Sequence, residues 1–407
     1  MPMIFFKNSK RRNVVRLFSS HSESMPKKLG VYIHIPFCAS KCAYCDFYSK
    51  PNIMDRRSAY TDAIVKNISE GSFDQKLYHV DTIYIGGGTP SYFGAKGLKR
   101  ILKAVYTSFF VEEDAEITVE VNPDSAKRSF FRAIHHAGVN RVSIGVQSFE
   151  KDELEVLGRR HSVQQAEAAV AAARSAGISN VGIDLIYGVP GQTIESWERS
   201  LEHASALPIQ HISCYALTLE DGTPLADHRG DYTFPDDDTV ADMYLMTVAK
   251  LGEHGFAQYE ISNFARDDKY SRHNMKYWTL GEYCGFGPSA HSFVAGTRYA
   301  CISDIDEYIR RVKSGEPIVE ETESGRMTDS PGEFIMLALR TTRGVNRMEF
   351  ERRFHQNFAP IEAVFEKYAE SGHAKFERNC WKLTIQGFLI SNTIIVECME
   401  ALENSEK

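Results

Sequence analysis

No apolar run in the 407 residues approaches the roughly 18 needed to cross a bilayer, so the sequence offers no membrane-spanning helix. Tandem repeats and low-complexity tracts are also missing, which excludes solenoid and collagen-like chains. Eight cysteines in a chain this long do not make a disulfide scaffold. Five of them, Cys214, Cys284, Cys301, Cys380 and Cys398, stand singly, and a second cysteine pair of the kind a structural zinc site needs occurs nowhere. Acid is absent from the first 22 residues, whereas beyond position 28 the chain carries 40 basic against 53 acidic residues, a net −13. An acidic body argues against a general nucleic-acid binder, because phosphate neutralisation needs a basic surface.

What is present is an ordinary globular composition, 43% hydrophobic and 25% charged, in a length that suits two or three domains or one large α/β barrel with an appendage. Residues 1–28 are set apart: Lys7, Lys10, Arg11, Arg12, Arg16, Lys27 and Lys28 face a single acid, Glu23, among serines and scattered apolar residues. That is the composition of a mitochondrial transit peptide, with cleavage expected near Arg16 to Ser20, and it implies a mitochondrial protein with reduced thiols. A disordered basic tail is the alternative.

From 29 to 235 short β-branched runs alternate with stretches of helical period. Strands are predicted at 31–36, 82–87, 117–121, 141–146, 181–188 and 211–217, and helices at 57–70, 95–109, 125–137, 163–176 and 193–206. Asp124 and Ser162 are candidate N-caps. Strand-helix alternation of this kind predicts an incomplete (β/α)6 barrel, with functional residues at the C-terminal ends of the strands. Residues 236–326 read as a less regular connecting region. Residues 327–407 read as a small winged-helix-like α+β domain, with helices near 332–340, 346–355 and 360–371 followed by strand-like KFERNCWKLT.

Directly after the first predicted strand the chain reads IPFCASKCAYCDF, a C-x3-C-x2-C spacing of Cys38, Cys42 and Cys45. Three thiolates on one short loop suit three corners of a [4Fe-4S] cube whose fourth iron lacks a protein ligand. Zinc, the rival, wants four ligands, and unligated thiols are the bland alternative.

This loop after strand one of a six-strand array resembles the radical S-adenosylmethionine (SAM) superfamily. YIHIPFC, GGGTPS (86–91), EVNPD (120–124), GVQSF (145–149), IDLIYGVPGQT (183–193) and YALTLEDGTPL (215–225) narrow the resemblance to the branch containing oxygen-independent coproporphyrinogen III oxidase and its heme-chaperone relatives, over about residues 31–390. The resemblance implies a cluster whose open iron is chelated by SAM and whose electron cleaves the sulfonium to a 5′-deoxyadenosyl radical. It implies SAM contacts at Tyr32, Tyr44, Gly87, Glu120 and Ala216, with Tyr44 beside the adenine. A second SAM site is implied at Gly88, Thr89, Gln147, Arg159 and Asp184. Gly86, Gly87 and Gly88 are expected to let the backbone approach the methionine end of the ligand.

Two positions divide the branch. The oxidases continue to a fourth cysteine, C-x3-C-x2-C-x-C, where this chain has Phe47, and His273 to Trp278 match the H-N-x-x-Y-W pattern of the heme-chaperone relatives. The resemblance therefore implies a heme chaperone that delivers heme to respiratory hemoproteins, with peripheral membrane association and a homodimer expected, rather than porphyrinogen decarboxylation by a coproporphyrinogen III oxidase, the alternative. His273 is a candidate axial ligand, with Tyr277 and Trp278 covering the porphyrin. The competing reading of HNMKYW is a packed corner in which His273 is held by hydrogen bonds. Cys284 and His291 are lesser ligand candidates.

Overall fold

The computed structural model describes residues 26–71, 74, 76–322 and 330–405. Most of the expected transit segment 1–28, including Arg16 to Ser20, lies outside the described residues. The fold begins before position 29, because Lys27 and Lys28 already open strand β1 (Lys27–Ile35).

The next five strands follow in sequence and in space: β2 (Tyr78–Gly87), β3 (Val111–Val121), β4 (Arg141–Gln147), β5 (Asn180–Tyr187) and β6 (His211–Ala216), all parallel. Their register aligns one set of aliphatic side chains across the sheet. Val31 pairs with Ile83 and Ile33 with Ile85; the row continues through Ile117 and Val119 to Val142, Val181 and Ile183, then Ile212. Because side chains alternate faces along a strand, this row is one face of the sheet. It is buried in a single core with residues of the intervening helices α1 (Arg57–Glu70), α2 (Ala95–Ser108), α3 (Arg128–His135), α4 (Val163–Ser175) and α5 (Ile194–Ala206). Burying such a row is the main force that holds a parallel sheet under its helices.

The opposite face is of another kind. It presents Tyr32, His34, Tyr84, Glu116, Thr118, Glu120, Arg141, Ser143, Asp184, His211 and Ser213. A sheet whose inner face is polar and aromatic encloses a lumen rather than a hydrophobic centre.

Ser162 caps α4 as expected, in a capping box with Gln165. Asp124 does not cap α3. It lies in a 3-10 turn, Pro123–Ser125, and Lys127 precedes the helix without a side-chain bond.

Residues 236–326 do more than connect. After α6 (Asp237–Glu253), β7 (Ala257–Glu260) and β8 (Asn263–Ala265) extend the sheet antiparallel beyond β6. The chain then forms the short helix α7 (Arg272–Trp278) and crosses to the other edge, where β9 (Tyr283–Phe286) lies parallel to β1. β10 (His291–Val294), β11 (Thr297–Cys301) and, across α8 (Ile305–Ser314), β12 (Val319–Thr322) complete a twelve-stranded sheet.

The C-terminal part runs α9 (Pro331–Ala338), β13 (Val345–Asn346), α10 (Arg347–Phe354), α11 (Ala359–Glu370), β14 (Ala374–Glu377), β15 (Cys380–Leu383) and α12 (Ser391–Ser405), with the strands in order β13-β15-β14. Helix, strand, two helices and a hairpin is the winged-helix order. α9 and the turn after it touch both sides of the sheet: Arg298 of β11 pairs with Glu333 at 2.5 Å, while Ile261 N–H donates to Arg340 O at 2.8 Å and Thr342 N–H to Tyr259 O at 3.1 Å.

Candidate functional site

The cysteine loop is tied at both ends. Phe37–Cys38 pairs with Lys50–Pro51, and the backbone of Ala43 donates to Leu157 O at 3.1 Å and accepts from Leu225 N–H at 2.9 Å. Tyr44, between the second and third cysteines, packs on an apolar cluster of Leu157, Ile186 and Val189. These contacts hold Cys38, Cys42 and Cys45 at the wall of a cavity of about 480 Å³ at the C-terminal ends of the strands. Tyr44, Gly87, Gly88, Thr89, Glu120, Gln147, Arg159, Asp184 and Ala216 line the same cavity. Tyr32 does not. It lies deeper on the inner face, with its hydroxyl 3.0 Å from His34 Nδ1 and its ring 6.3 Å from that of Tyr84.

The three consecutive glycines have a different physical reason from the one their sequence suggests. A Cβ at Gly86 would lie 2.7 Å from the Glu120 carboxyl, one at Gly87 2.5 Å from the His34 ring, and one at Gly88 2.7 Å from Ile35 O. The space is taken by the protein itself. The same close approach lets Gly88 N–H reach Ile35 O at 2.8 Å and Thr89 N–H reach Phe37 O at 2.7 Å, which clamps the exit of β2 against the start of the cysteine loop.

Glu120 accepts from the Tyr84 hydroxyl at 2.8 Å and from Gly87 N–H at 3.1 Å. Burial pushes its pKa up to about 7, against the pull of those two donors, with the like charge of Asp184 adding to the rise. Asp184 accepts from Ser143 Oγ at 3.0 Å and is raised by burial as well. Gln147 sits at φ +70°, a left-handed conformation costly for a residue with a side chain, where the β4–β5 register slips.

Two residues expected at a second ligand site also touch the cysteines. The Thr89 hydroxyl shares a 3.4 Å hydrogen bond with Cys38 Sγ, and Arg159 Nη1 donates to Cys42 Sγ at 3.2 Å. Sequence reasoning missed Tyr84 and Asn122 as site residues; both stand in runs already singled out, TIYIGG and EVNPD, one inward-facing and one at a strand end.

The donor set fits an iron-sulfur cube better than a mononuclear ion. Among the described residues no group of three or more His, Cys, Asp or Glu side chains is arranged to hold a metal ion. Among the described residues the thiols have no fourth protein ligand of the kind tetrahedral zinc requires, and the half-buried Arg159 beside them keeps Nε without a partner. Phe47, where a fourth cysteine would continue the oxidase pattern, stands 71% exposed at the cavity rim.

The HNxxYW segment is not at this cavity. It forms α7, which closes the far end of the lumen beneath Tyr84. Glu116 accepts from the backbone N–H groups of Arg272 and His273 at 3.1 Å each, a carboxylate at a helix N-terminus, and Lys276 pairs with Asp81 at 2.7 Å. His273 is fully buried: Nδ1 is 2.9 Å from Thr82 Oγ1, Nε2 is 3.0 Å from the Tyr277 hydroxyl, and its ring stacks on Tyr84 at 5.3 Å. Burial lowers its pKa to about 3. The expectation of His273 as an axial heme ligand therefore meets an imidazole with both nitrogens engaged. Trp278 is half-buried at the helix end. Cys284 is buried in β9, and His291 is exposed at the start of β10.

Comparison with known proteins places these features in context. Residues 32–204 match the radical SAM superfamily and residues 328–390 the HemN C-terminal domain. The heme chaperone HemW of Bacillus subtilis is 34% identical over 375 residues, covering 90% of this chain and 97% of that protein. The mitochondrial radical S-adenosyl methionine domain-containing protein 1 of Danio rerio is 37% identical over 282 residues, 68% of this chain and 64% of that one. In three dimensions, coproporphyrinogen III oxidase (HemN) from Escherichia coli superposes with a TM-score of 0.79 at 23% identity, over 93% of this chain and 91% of that one. That likeness concerns the fold.

Proposed function

The chain belongs to the radical SAM superfamily, in the family of the heme chaperone HemW, and from this premise we propose that it binds heme in mitochondria and passes it to respiratory hemoproteins. The observation that carries the reading is the end-to-end likeness to chains named heme chaperone, which spans the cysteine loop and the C-terminal domain alike. Phe47, in place of a fourth cysteine, supports it. The mitochondrial name of the Danio rerio relative and the basic, acid-poor start of the chain support the location.

In this reading Cys38, Cys42 and Cys45 hold a [4Fe-4S] cluster, while Tyr44, Gly87, Glu120 and Ala216 hold SAM. When bound, the cluster supplies an open iron for the amino-acid end of SAM and an electron at low potential. The chain's part is positional. Glu120, fixed by Tyr84 and Gly87, offers a carboxylate to an ammonium or to ribose hydroxyls, and the Tyr44 shelf of Leu157, Ile186 and Val189 excludes water beside it.

Heme is cargo, with His273, Tyr277 and Trp278 as its site. Iron reaches His273 only when α7 withdraws and frees Nδ1 from Thr82, or when Tyr277, which rides on the same helix, turns away from Nε2. Heme titration should give a Soret shift that weakens on His273→Ala; an unchanged spectrum removes that residue from the site. The enzyme reading is tested by giving the anaerobically reconstituted protein coproporphyrinogen III, SAM and reductant. No protoporphyrinogen is expected, and its appearance would overturn the chaperone assignment.

A further inference from the structure

Arg159, expected at a second ligand site, also reaches the cysteine loop. Its guanidinium is committed on three sides: Nη2 donates to Asn122 Oδ1 and to Gly145 O, each at 2.7 Å, and Nη1 to Cys42 Sγ at 3.2 Å. The two carbonyl-type acceptors fix the plane of the fork, and the fork aims its remaining face at the cysteine loop. Gly158 beside it has φ +68°, and a Cβ there would come within 3.1 Å of Ala43 N, so the segment 157–159 lies flat against the loop. On the other side of the loop Thr89, held by its own N–H to Phe37 O, meets Cys38 Sγ. Two of the three sulfurs therefore have a built hydrogen-bond partner, one of them a half-buried cation.

We propose that Arg159 is a positioning residue of the cluster, donating to the Cys42 sulfur and raising the cluster's reduction potential. The inference rests on the cluster reading above. A hydrogen bond from a cation to a ligand sulfur stabilises the more negative, reduced cluster, and hydrogen bonds to sulfur are among the levers that set such potentials. Three of its five N–H donors are spent on Asn122, Gly145 and Cys42, which leaves Nε and one Nη1 hydrogen for a further group. Arg159→Lys would keep the charge and lose the three-way fork.

The test is a redox titration of the anaerobically reconstituted protein followed by electron paramagnetic resonance, with iron and sulfide content and SAM stoichiometry measured on the same samples. Arg159→Gln is expected to shift the midpoint to more negative potential at full cluster content. Asn122→Ala, which frees one side of the fork, is expected to give a smaller shift of the same sign, and it decides the matter if Arg159→Gln assembles no cluster. Unchanged potentials at full cluster content overturn the proposal. A wild type that holds no iron overturns the cluster reading itself, and the inference with it.

Discussion

The two ends of the lumen are built from the same kinds of residue and put to opposite use. At the C-terminal end the inward groups face open space: Glu120, Asp184 and three thiols line a cavity, and Arg159 Nε has no partner. At the N-terminal end α7 fills the space, and His273, Lys276 and the helix N-terminus are matched to Thr82, Tyr277, Asp81 and Glu116. Tyr84 is the wall between them, its hydroxyl on Glu120 above and its ring against His273 below. An inward polar group whose partners are missing is open to a ligand as it stands, and one whose partners are supplied is locked until the helix that carries it moves.

The sharpest way to break this contrast is at the cysteines. Replacing Cys38, Cys42 or Cys45 by Ala should abolish cluster assembly, read as loss of iron and of the visible chromophore, while leaving the far end folded; retention of the cluster in all three variants would refute the ligand set. Gly88→Ala forces a Cβ onto Ile35 O and the Phe37 backbone, so it should cost about 2 kcal/mol and lower cluster occupancy, measured as iron per chain. At the closed end His273→Ala leaves the buried Thr82 hydroxyl and the half-buried Tyr277 hydroxyl unpaired and should destabilise the protein by about 3 kcal/mol in urea unfolding. A loss under about 1 kcal/mol would mean that α7 is not locked in place.

The two ends should also answer pH with opposite signs. His273, neutral when folded with a pKa of about 3, contributes stability that is present above the ordinary histidine pKa of 6.5 and is lost as pH falls below it. Glu120, raised from 4.5 to about 7, contributes stability that is present below 4.5 and is lost as pH rises through 7. Each slope is about 1.4 kcal/mol per pH unit, so between pH 4.5 and 6.5 they oppose one another. Relative to wild type, Glu120→Gln should steepen the acid loss and His273→Gln should reverse it; parallel stability curves for the two variants would contradict the assignment. The smallest effect is expected at the wall. Tyr84→Phe keeps the ring on His273 but removes the hydroxyl that holds Glu120 down, so SAM affinity at neutral pH should fall by about tenfold or less, with heme binding unmoved.

How much of this was legible follows from periodicity. The six parallel strands and their helices announce themselves because each strand alternates aliphatic with polar or aromatic residues, as in Thr82, Ile83, Tyr84, Ile85 and Gly86, and all but one of the helices, the eight-residue α3, span more than three turns. The six edge strands did not, since runs of three to five residues such as Asn263–Ala265 carry no period to read. The cysteine loop was plain from spacing alone. The roles of Arg159 and the three glycines were not, because they depend on what crosses from another strand: Asn122, Gly145, His34 and Ile35 reach them through the fold and not through the neighbouring sequence.

The account stands on a cluster with one iron open to SAM. Mössbauer or paramagnetic resonance spectra of the anaerobic, reduced protein, recorded before and after SAM is added, test it directly. A [4Fe-4S] signal that shifts on addition is the expected result; a protein without iron, or a signal indifferent to SAM, would contradict it.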